Sequence, residues 1–198
     1  MELPLNVRDE LQNCDIEDLK LIQKSYSKNF SILLFNVRTS GNVGTIIRSA
    51  CLLGCREVII CGRKVYDRRH TVGAHNYIDV KHWDDVLKVE ITCKPNTKPT
   101  EYNEKLDYNE KTFYERLDGR TPVILEQGGV DIRSVDWVTI KNPVIVVGNE
   151  SLGVPDWFAP EAIRVSIPQW SVMRSMNVAM AATIAIWELT THMVSDTL

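Results

Sequence analysis

The clearest pattern along the chain is a series of short apolar runs separated by polar turns. Ser31–Phe35, Glu57–Cys61 and Pro143–Val147 are nearly continuous in apolar residues, which is typical of strands buried on both faces of a parallel sheet. Between the first two runs, a segment from about residue 42 to 53 has helical spacing and is followed by Gly54, a common helix terminator. This order predicts a βαβ unit.

The same pattern continues to the C-terminus. Apolar runs at Pro122–Leu125 and Ile163–Ile167 predict two further strands, and an alanine-rich segment from about Met176 to Val194 predicts a long helix. Residues 1–28 are polar and amphipathic and predict a short N-terminal helical extension, with Asp15 as a helix cap. The whole pattern predicts an α/β fold with a mostly parallel sheet and helices on both faces.

The middle of the chain carries weaker signals. Tyr77–Val80 is predicted to be a short strand, and Trp83–Lys88 and Lys111–Leu117 are predicted to be helices. Residues 92–108 are polar and contain several prolines and asparagines, so a surface excursion is expected there.

Charge limits the way in which this chain could bind nucleic acid. The formal net charge is −3 and the pI is near 5.8, so there is no global attraction to a polyanion and any such binding needs a local patch. The run GRKVYDRRH is the candidate patch, although charge alone favours a solvated surface loop. Its candidate RNA-binding residues are Arg63, Lys64, Arg68, Arg69 and His70.

Cysteine usage indicates a reducing compartment. Cys51, Cys55 and Cys61 lie in or beside apolar segments, where reduced cysteine behaves as a small hydrophobic residue, so a cytoplasmic or nuclear protein is expected. The spacing from Cys51 to Cys55 and the irregular histidines that follow match no common zinc pattern, so no metal is expected. The N-terminus lacks signal-peptide features, and no apolar run is long enough to span a bilayer.

Three loops combine an apolar strand, a Gly/Asn-rich turn and a polar residue, which suggests one composite site. In the first loop, Asn42 is expected at the start of a helix, where capping is the simplest role. Arg48 lies two turns into the same largely apolar helix, and a permanent charge there favours an anionic or phosphate partner.

The second loop, VVGNESLGVP, places the Glu150 carboxylate just past a buried strand, between Gly148 and Gly153. Ligands bind at the carboxyl ends of strands in open parallel sheets, so this position suggests a site, although Glu150 could also cap a helix or pair with a cation. The turn matches neither a dinucleotide-binding nor a Walker pattern, which disfavours those folds.

The third loop carries Ser175 and Asn177 on either side of Met176, at the mouth of the last predicted helix. Free backbone N–H groups at a helix N-terminus need partners, and they can hold a small ligand. Simple capping by Ser175 is the alternative.

Together, the three segments resemble the three motifs of the SpoU (TrmH-type) RNA ribose 2′-O-methyltransferases of the SPOUT superfamily, in the same order. NVRTSGNVGTIIRSA resembles motif one, VVGNESLGVP motif two and IPQWSVMRSMNVAMAATIAIWE motif three, and the resemblance covers about residues 30–190. It implies a methyltransferase domain over residues 29–198 with a deep trefoil knot at about residues 143–190. It also implies S-adenosylmethionine as cofactor, RNA as substrate and a homodimer.

The resemblance assigns roles residue by residue. Arg48 would deprotonate the ribose 2′-OH with the help of a substrate phosphate, or it would only bind the phosphate and position the ribose, because an arginine pKa is normally too high for a base. Asn42 would hold Arg48 or the ribose, Glu150 and Asn177 would shape the loops and help to hold Arg48, and Ser175 would help to place the substrate. The implied catalytic set is Asn42, Arg48, Glu150, Ser175 and Asn177. The implied cofactor set is Leu125, Glu126, Gln127, Gly148, Asn149, Ile167 and Met176.

The chain departs from the family pattern at a few positions. Met176 stands where leucine is usual, Gln169 replaces a common methionine, and Trp170 is unusual. Gln169, Arg174 and Trp187 look closer to eukaryotic tRNA-modifying relatives, which favours tRNA over rRNA. The alternative function is a catalytically silent RNA-binding subunit, or one that depends on an accessory protein; a guanine-N1 base methyltransferase fits less well because its motifs differ.

Overall fold

The computed structural model describes residues 6–63, 66–93 and 102–193. Its helices are α1 (Ile16–Tyr26), α2 (Ser40–Leu52), α3 (Arg68–Thr71), α4 (Glu110–Leu117) and α5 (Val178–Met193). Its strands are β1 (Ser31–Phe35), β2 (Glu57–Cys61), β3 (Asp79–His82), β4 (Leu87–Cys93), β5 (Tyr102–Tyr108), β6 (Thr121–Asp131), β7 (Pro143–Val147) and β8 (Ile163–Ser166). None of the helices in these ranges has the length and apolar character needed to cross a membrane.

Six strands form one sheet in the order β3-β2-β1-β7-β6-β8, and every neighbouring pair in it is parallel. The predicted mostly parallel sheet is therefore confirmed. The chain adds β2 and β3 on one side of β1, and then places β7, β6 and β8 on the other side. The strand order thus reverses between β1 and β7, and ligand sites of open α/β sheets occur at the carboxyl ends of strands at such a point.

Side chains of β1 alternate between two hydrophobic layers. Ile32 and Leu34 pack into the layer that contains α2 and α5, whereas Leu33 and Phe35 pack into the layer under α4 and the β4–β5 hairpin. All four are essentially inaccessible to solvent. A strand covered on both faces needs apolar residues at every position, which explains the unbroken apolar run. Helices on both faces, as predicted, are confirmed.

The predicted helix at residues 83–88 is wrong. A turn that begins after Trp83 leads into β4, whose sequence alternates apolar and polar residues from Leu87 to Glu90, the two-residue period of a strand. The polar segment 92–108 is also more regular than predicted, because β5 pairs antiparallel with β4. Residues 94–101 of that segment lie outside the described residues.

The ends of several elements differ from the predicted ones. Helix α2 begins at Ser40, before the predicted start, and α5 begins at Val178, after it. Strand β6 continues six residues past Leu125, to Asp131. Asp15 caps α1 as predicted, because its Oδ1 accepts a hydrogen bond from the backbone N–H of Asp18 at 2.8 Å.

Three cysteines lie in the core. Burial raises the pKa of Cys51 to about 11, and burial is also the main cause that raises the pKa of Cys55 and Cys61 to about 12. These thiols are therefore protonated and unreactive near neutral pH. Within the described ranges, no group of three or more His, Cys, Asp or Glu side chains is arranged to hold a metal ion.

A buried carboxylate stabilises the end of the sheet opposite the predicted site. Glu57, at the start of β2, is 3% exposed; its Oε1 accepts from Ser31 Oγ at 3.0 Å, and its carboxylate pairs with Lys81 and Arg120. Burial raises the pKa of Glu57, but the hydrogen bond from Lys81 and the charges of Lys81 and Arg120 outweigh burial and lower it. Glu57 therefore stays ionised.

We expect Glu57→Gln to lower the free energy of unfolding by about 2 kcal/mol or more at neutral pH, because it leaves Arg120 and Lys81 without their counter-charge. Because the folded-state pKa is depressed, this contribution is complete above the ordinary glutamate pKa of about 4.3 and is lost as pH falls through the folded-state value. The difference between the two proteins should therefore shrink in acid, as followed by urea unfolding. The control is Glu90→Gln, whose exposed pair with Lys105 spans 4.0 Å and should contribute little.

Candidate functional site

The three predicted loops meet at the carboxyl ends of the sheet strands. Strand β1 leads into residues 36–39, β7 leads into residues 148–153, and β8 leads into residues 167–177. Strands β1 and β7 are neighbours, so the first two loops leave the sheet side by side at the point where the strand order reverses. Residues far apart in sequence are therefore brought into contact.

The carboxylate of Glu150 joins the first two loops. Its Oε2 accepts from the backbone N–H of Arg38 at 2.9 Å, and its Oε1 accepts from the backbone N–H of Thr39 and from Asn42 Nδ2, each at 2.9 Å. Partial desolvation raises the pKa of Glu150, but these three hydrogen bonds outweigh it and lower the pKa below the usual value. Glu150 is therefore a fixed anion rather than a proton donor.

Asn42 and Asn177 extend this network to the third loop. Asn42 is the third residue of α2 and not its cap, and its Oδ1 accepts from Asn177 Nδ2 at 3.1 Å. Asn177 in turn accepts from the backbone N–H of Ala179 at 2.9 Å and of Met180 at 3.3 Å. Asn177, rather than Ser175, thus caps α5, and one chain of hydrogen bonds links all three motifs.

A tight turn follows β7. The buried Asn149 donates from Nδ2 to the carbonyl of Asn36 at 3.0 Å, and its Oδ1 accepts from the backbone N–H of Ser151 at 2.9 Å. A Cβ on Gly148 would lie 2.2 Å from the carbonyl carbon of Gly153, a distance that no side chain tolerates. Only glycine can therefore occupy position 148 in this turn.

The loops enclose a cavity of about 720 Å³, a volume typical of small-molecule sites. Glu150, Ser175 and Asn177 of the predicted catalytic set line it. The whole predicted cofactor set lines it as well: Leu125, Glu126, Gln127, Gly148, Asn149, Ile167 and Met176.

An irregularity in β6 explains how Glu126 and Gln127 reach the cavity. The pairing of β6 with β8 shifts register between Leu125 and Val130, so the residues between them leave the regular ladder. Gln127 Nε2 then donates to the carbonyl of Arg174, which ties β6 to the third loop. Glu126 forms an ion pair with Arg164 of β8.

Arg48 lies apart from this network. It is exposed on α2 and lines a second cavity of about 610 Å³, between α1, α2 and the end of α5. Within the described part of the chain its guanidinium has no hydrogen-bond or ion-pair partner. The expectation that Asn42, Glu150 and Asn177 hold Arg48 is therefore not met in the single chain, because these three side chains bind one another and Arg48 follows Asn42 by about 9 Å of helix.

The basic run lies beside the start of α2. The backbone N–H of Asp67 donates to the carbonyl of Ser40 at 3.1 Å, and a Cβ on Gly44 would lie 2.6 Å from the carbonyl oxygen of Asp67, so this segment packs directly on α2. Arg69 makes a two-pronged contact with the Asp67 carboxylate, at 3.1 Å from Nε and 2.8 Å from Nη2, which offsets much of its charge. Arg68 is exposed.

The other predicted RNA-binding residues are less alike in their placement. His70 is exposed and its Nδ1 lies 3.3 Å from the Asp67 carboxylate. Arg63 is half-buried. Lys64 lies outside the described residues.

Sequence reasoning missed several groups that build the site. The backbone N–H groups of Arg38 and Thr39 bind the Glu150 carboxylate, and main-chain donors leave no signal in residue type. Gln169 and Arg174 line the cavity, although only their position within motif three could have indicated this.

The sequence profile of the SpoU rRNA Methylase family matches residues 29–187. The chain belongs to this family. It is 28% identical over 176 residues to the 23S rRNA (uridine(2479)-2′-O)-methyltransferase of Streptomyces viridochromogenes, and 27% identical over 160 residues to the 23S rRNA (adenosine(1067)-2′-O)-methyltransferase of Streptomyces laurentii. The matches cover 85% and 78% of this chain but 55% and 52% of the relatives, so the chain spans about half the length of the curated relatives it matches.

Solved structures of the family share the fold. The AdoMet-bound rRNA methyltransferase from Sinorhizobium meliloti aligns with a TM-score of 0.65 at 27% identity, over 89% of this chain and 61% of that one. The A. aeolicus TrmH/SpoU tRNA modifying enzyme aligns with a TM-score of 0.66 at 21% identity, over 89% of this chain and 81% of that one, a likeness of fold alone. Family and α/β fold are thus confirmed, whereas the trefoil knot stays a prediction.

We expect Glu150→Gln to lower the free energy of unfolding by about 1 kcal/mol, because an amide in place of the carboxylate turns an N–H donor toward the donors of Arg38, Thr39 or Asn42. Urea unfolding at neutral pH measures this loss. The control is Glu161→Gln at an exposed position of the same β7–β8 connection. Equal stability of the two variants would mean that the Glu150 network does not hold the loops.

Proposed function

We propose that this protein transfers a methyl group from S-adenosylmethionine to a ribose 2′-OH of RNA. The observation that carries the proposal is the coincidence of the whole predicted cofactor set with one cavity at the carboxyl ends of the strands. The similar S. meliloti structure is described as AdoMet-bound, and both curated relatives are named 2′-O-methyltransferases, which supports the same chemistry here.

The residues of the cavity suit this cofactor. Leu125, Ile167 and Met176 offer apolar contacts for a nucleobase, and Gly148 leaves the backbone open to close approach. When bound, S-adenosylmethionine supplies a methyl group on a positively charged sulfur, so transfer to the ribose oxygen leaves a neutral thioether and releases the hydroxyl proton. The hydrogen-bond chain from Glu150 keeps the surrounding loops in place for that transfer.

Arg48 is the residue that we assign to the substrate side. A ribose 2′-OH is a poor nucleophile and needs to be oriented and deprotonated. The Arg48 guanidinium is exposed and permanently charged, so it can bind a substrate phosphate and position the ribose next to it. In the single chain it lines a different cavity from the proposed cofactor.

We also propose that the protein acts as a homodimer. Met180, Ile184 and Trp187 of α5 are exposed and recur at helical spacing, so they form one apolar stripe on an otherwise well-packed helix. Trp187 and the exposed Leu52 line the same cavity as Arg48. A second copy seated on this surface would therefore lie close to Arg48 and could complete the reaction centre.

The domain organisation follows from the same proposal. Residues 29–198 would form the methyltransferase domain, with the trefoil knot at about residues 143–190, and residues 1–28 would form an appended extension that includes α1. The contacts of Gln127 with Arg174, and of Asn42 with Asn177, support a third loop held against β6 and α2. The buried thiols support a reducing compartment, cytoplasmic or nuclear.

The RNA substrate is the finer part of the proposal. We favour tRNA because Gln169 and Arg174, which resemble tRNA-modifying relatives, line the cofactor cavity. The curated relatives act on 23S rRNA by name, so rRNA is the competing substrate. The second candidate function is that of an RNA-binding subunit that requires an accessory protein. Two observations favour it: the net charge of −3, and the position of Arg48 outside the cofactor cavity.

The decisive assay measures methyl transfer from labelled S-adenosylmethionine to bulk tRNA and rRNA, followed by nucleoside analysis. We expect a 2′-O-methylated nucleoside in one RNA fraction. Arg48→Ala should abolish transfer, because the ribose is no longer positioned, and should leave cofactor affinity by calorimetry nearly unchanged, because Arg48 does not line the cofactor cavity. Arg48→Lys, which keeps the charge but not the guanidinium geometry, should retain partial activity.

Two outcomes would contradict this assignment. Equal loss of transfer and cofactor affinity in Arg48→Ala would make Arg48 a structural residue. Absence of both transfer and cofactor binding in the unmodified protein would favour a catalytically silent RNA-binding protein.

Neutralising the basic run should weaken RNA binding. We expect Arg68→Gln with Arg69→Gln to lower the affinity for bulk tRNA and to flatten its salt dependence. Binding by the double variant would neutralise fewer phosphates and so release fewer counterions. Arg68→Gln alone should account for most of the change, because Asp67 already offsets the charge of Arg69. The matched control removes two exposed charges elsewhere, Lys105→Gln with Lys111→Gln; an equal effect there would mean that only net charge matters.

A further inference from the structure

The loop between β8 and α5 carries an exposed aromatic side chain that the proposed mechanism does not use. Trp170 is 85% exposed, and Val172 and Met173 in the same loop are also exposed. An indole side chain offers a large apolar surface, and leaving it in water forgoes the stabilisation of burial. The side chain therefore has no evident role in the stability of the single chain.

One face of Trp170 has a fixed neighbour. The Cζ atom of Arg133 lies 5.9 Å from the centroid of the Trp170 ring, within the range of a cation–π contact. Arg133 is itself held by Asp131, which accepts from Arg133 Nε at 3.0 Å and from its backbone N–H at 3.0 Å. The indole is thus supported on one side and open to solvent on the other.

Trp170 also lies next to the cofactor cavity. Its neighbour Gln169 lines the cavity, as do Arg174 and Ser175 at the other end of the loop. Gln127 donates to the carbonyl of Arg174, so the far end of the loop is tied to β6. Arg174, which is exposed, lies between Trp170 and Ser175 along the chain. The loop therefore presents an aromatic face and a positive charge beside the cavity.

We infer that Trp170 stacks on an unpaired nucleobase of the substrate RNA, beside the nucleotide whose ribose reaches the cavity. Proteins bind single-stranded RNA by stacking bases on aromatic side chains, with cations nearby for the phosphates. This inference rests on the proposed function, since it places the RNA at the same cavity.

The charges around the loop favour RNA over a protein partner. Val172 and Met173 could also contact protein, but the exposed Arg174 of the same loop carries a positive charge that matches a polyanion, whereas Asp131 offsets the charge of Arg133. A chain with a net charge of −3 gains little from overall electrostatic attraction, so stacking supplies affinity that does not depend on charge.

The test measures binding of a fluorescein-labelled single-stranded RNA of about 12 nucleotides by anisotropy, a length within typical single-strand site sizes. We expect Trp170→Ala to weaken binding roughly tenfold, in line with the loss of one stacked base. Trp170→Phe should retain most of the affinity, because a phenyl ring still stacks. The matched control is Val172→Ala, which removes a still more exposed apolar side chain of the same loop and should bind like the unmodified protein.

A second probe isolates the base. An RNA of the same length without bases keeps the phosphates, so the unmodified protein and Trp170→Ala should bind it equally. The loss on normal RNA should also be similar at low and high salt, because stacking releases no counterions. Cofactor affinity by calorimetry and sedimentation behaviour should be those of the unmodified protein.

Several results would overturn the inference. Equal binding of normal RNA by Trp170→Ala and the unmodified protein would exclude stacking. A loss shared with Val172→Ala, together with altered sedimentation, would show that the loop docks protein. Absence of RNA binding by the unmodified protein would also overturn it, whereas the proposed function is judged separately by cofactor binding and methyl transfer.

Discussion

The arrangement of the site depends on one ion, the carboxylate of Glu150. Two backbone N–H groups and Asn42 bind it, and Asn42 in turn binds Asn177 at the start of α5. Hydrogen bonds to an ionised group are stronger than neutral ones, and several of them on one carboxylate compensate for its partial removal from water. This anion binds the first loop directly to the second, and it reaches the third loop through Asn42.

The two ends of the sheet have different roles: one carries a stabilising ion-pair cluster, and the other carries the loops of the site. At the start of β2, the buried Glu57 binds Arg120 and Lys81, and this cluster joins the first strands to the segment that precedes β6. At the carboxyl ends, the loops surround a cavity. A close approach of backbones makes this packing feasible, since no side chain fits at Gly148 and a Cβ on Gly129 would lie 2.7 Å from the carbonyl of Arg164. The rigid sheet therefore positions loops whose residues remain available for a ligand.

Three side chains proposed to contact RNA do not line the cofactor cavity. Arg48 lines a different cavity, the Arg68 segment packs beside the start of α2, and Trp170 lies in the loop before α5. This distribution explains how an acidic chain could bind RNA, because a few local contacts replace a uniformly basic surface.

The local sequence pattern was sufficient to predict most of the sheet and most of the residues that line the cavity. The unbroken apolar runs predicted the buried parallel strands, and the three Gly/Asn-rich loops indicated residues that now line one cavity, because burial on two faces and tight turns both constrain residue type directly. The same reasoning failed for residues 83–88 and for β5, where pairing between distant segments outweighed local preference. The caps that it considered for α2 and α5 were also wrong, since Asn42 is the third residue of α2 and Asn177 caps α5 in place of Ser175.

Only the tertiary structure decided which groups meet. Glu150 and Asn42 are 108 residues apart and Asn177 and Asn42 are 135 apart, so no local pattern could pair them. The sequence by itself determined the fold class and the family, because both depend on residue types at set spacings. The direction of Arg48, the bond partners of Glu150 and the support of Trp170 by Arg133 depend on how the elements pack in three dimensions.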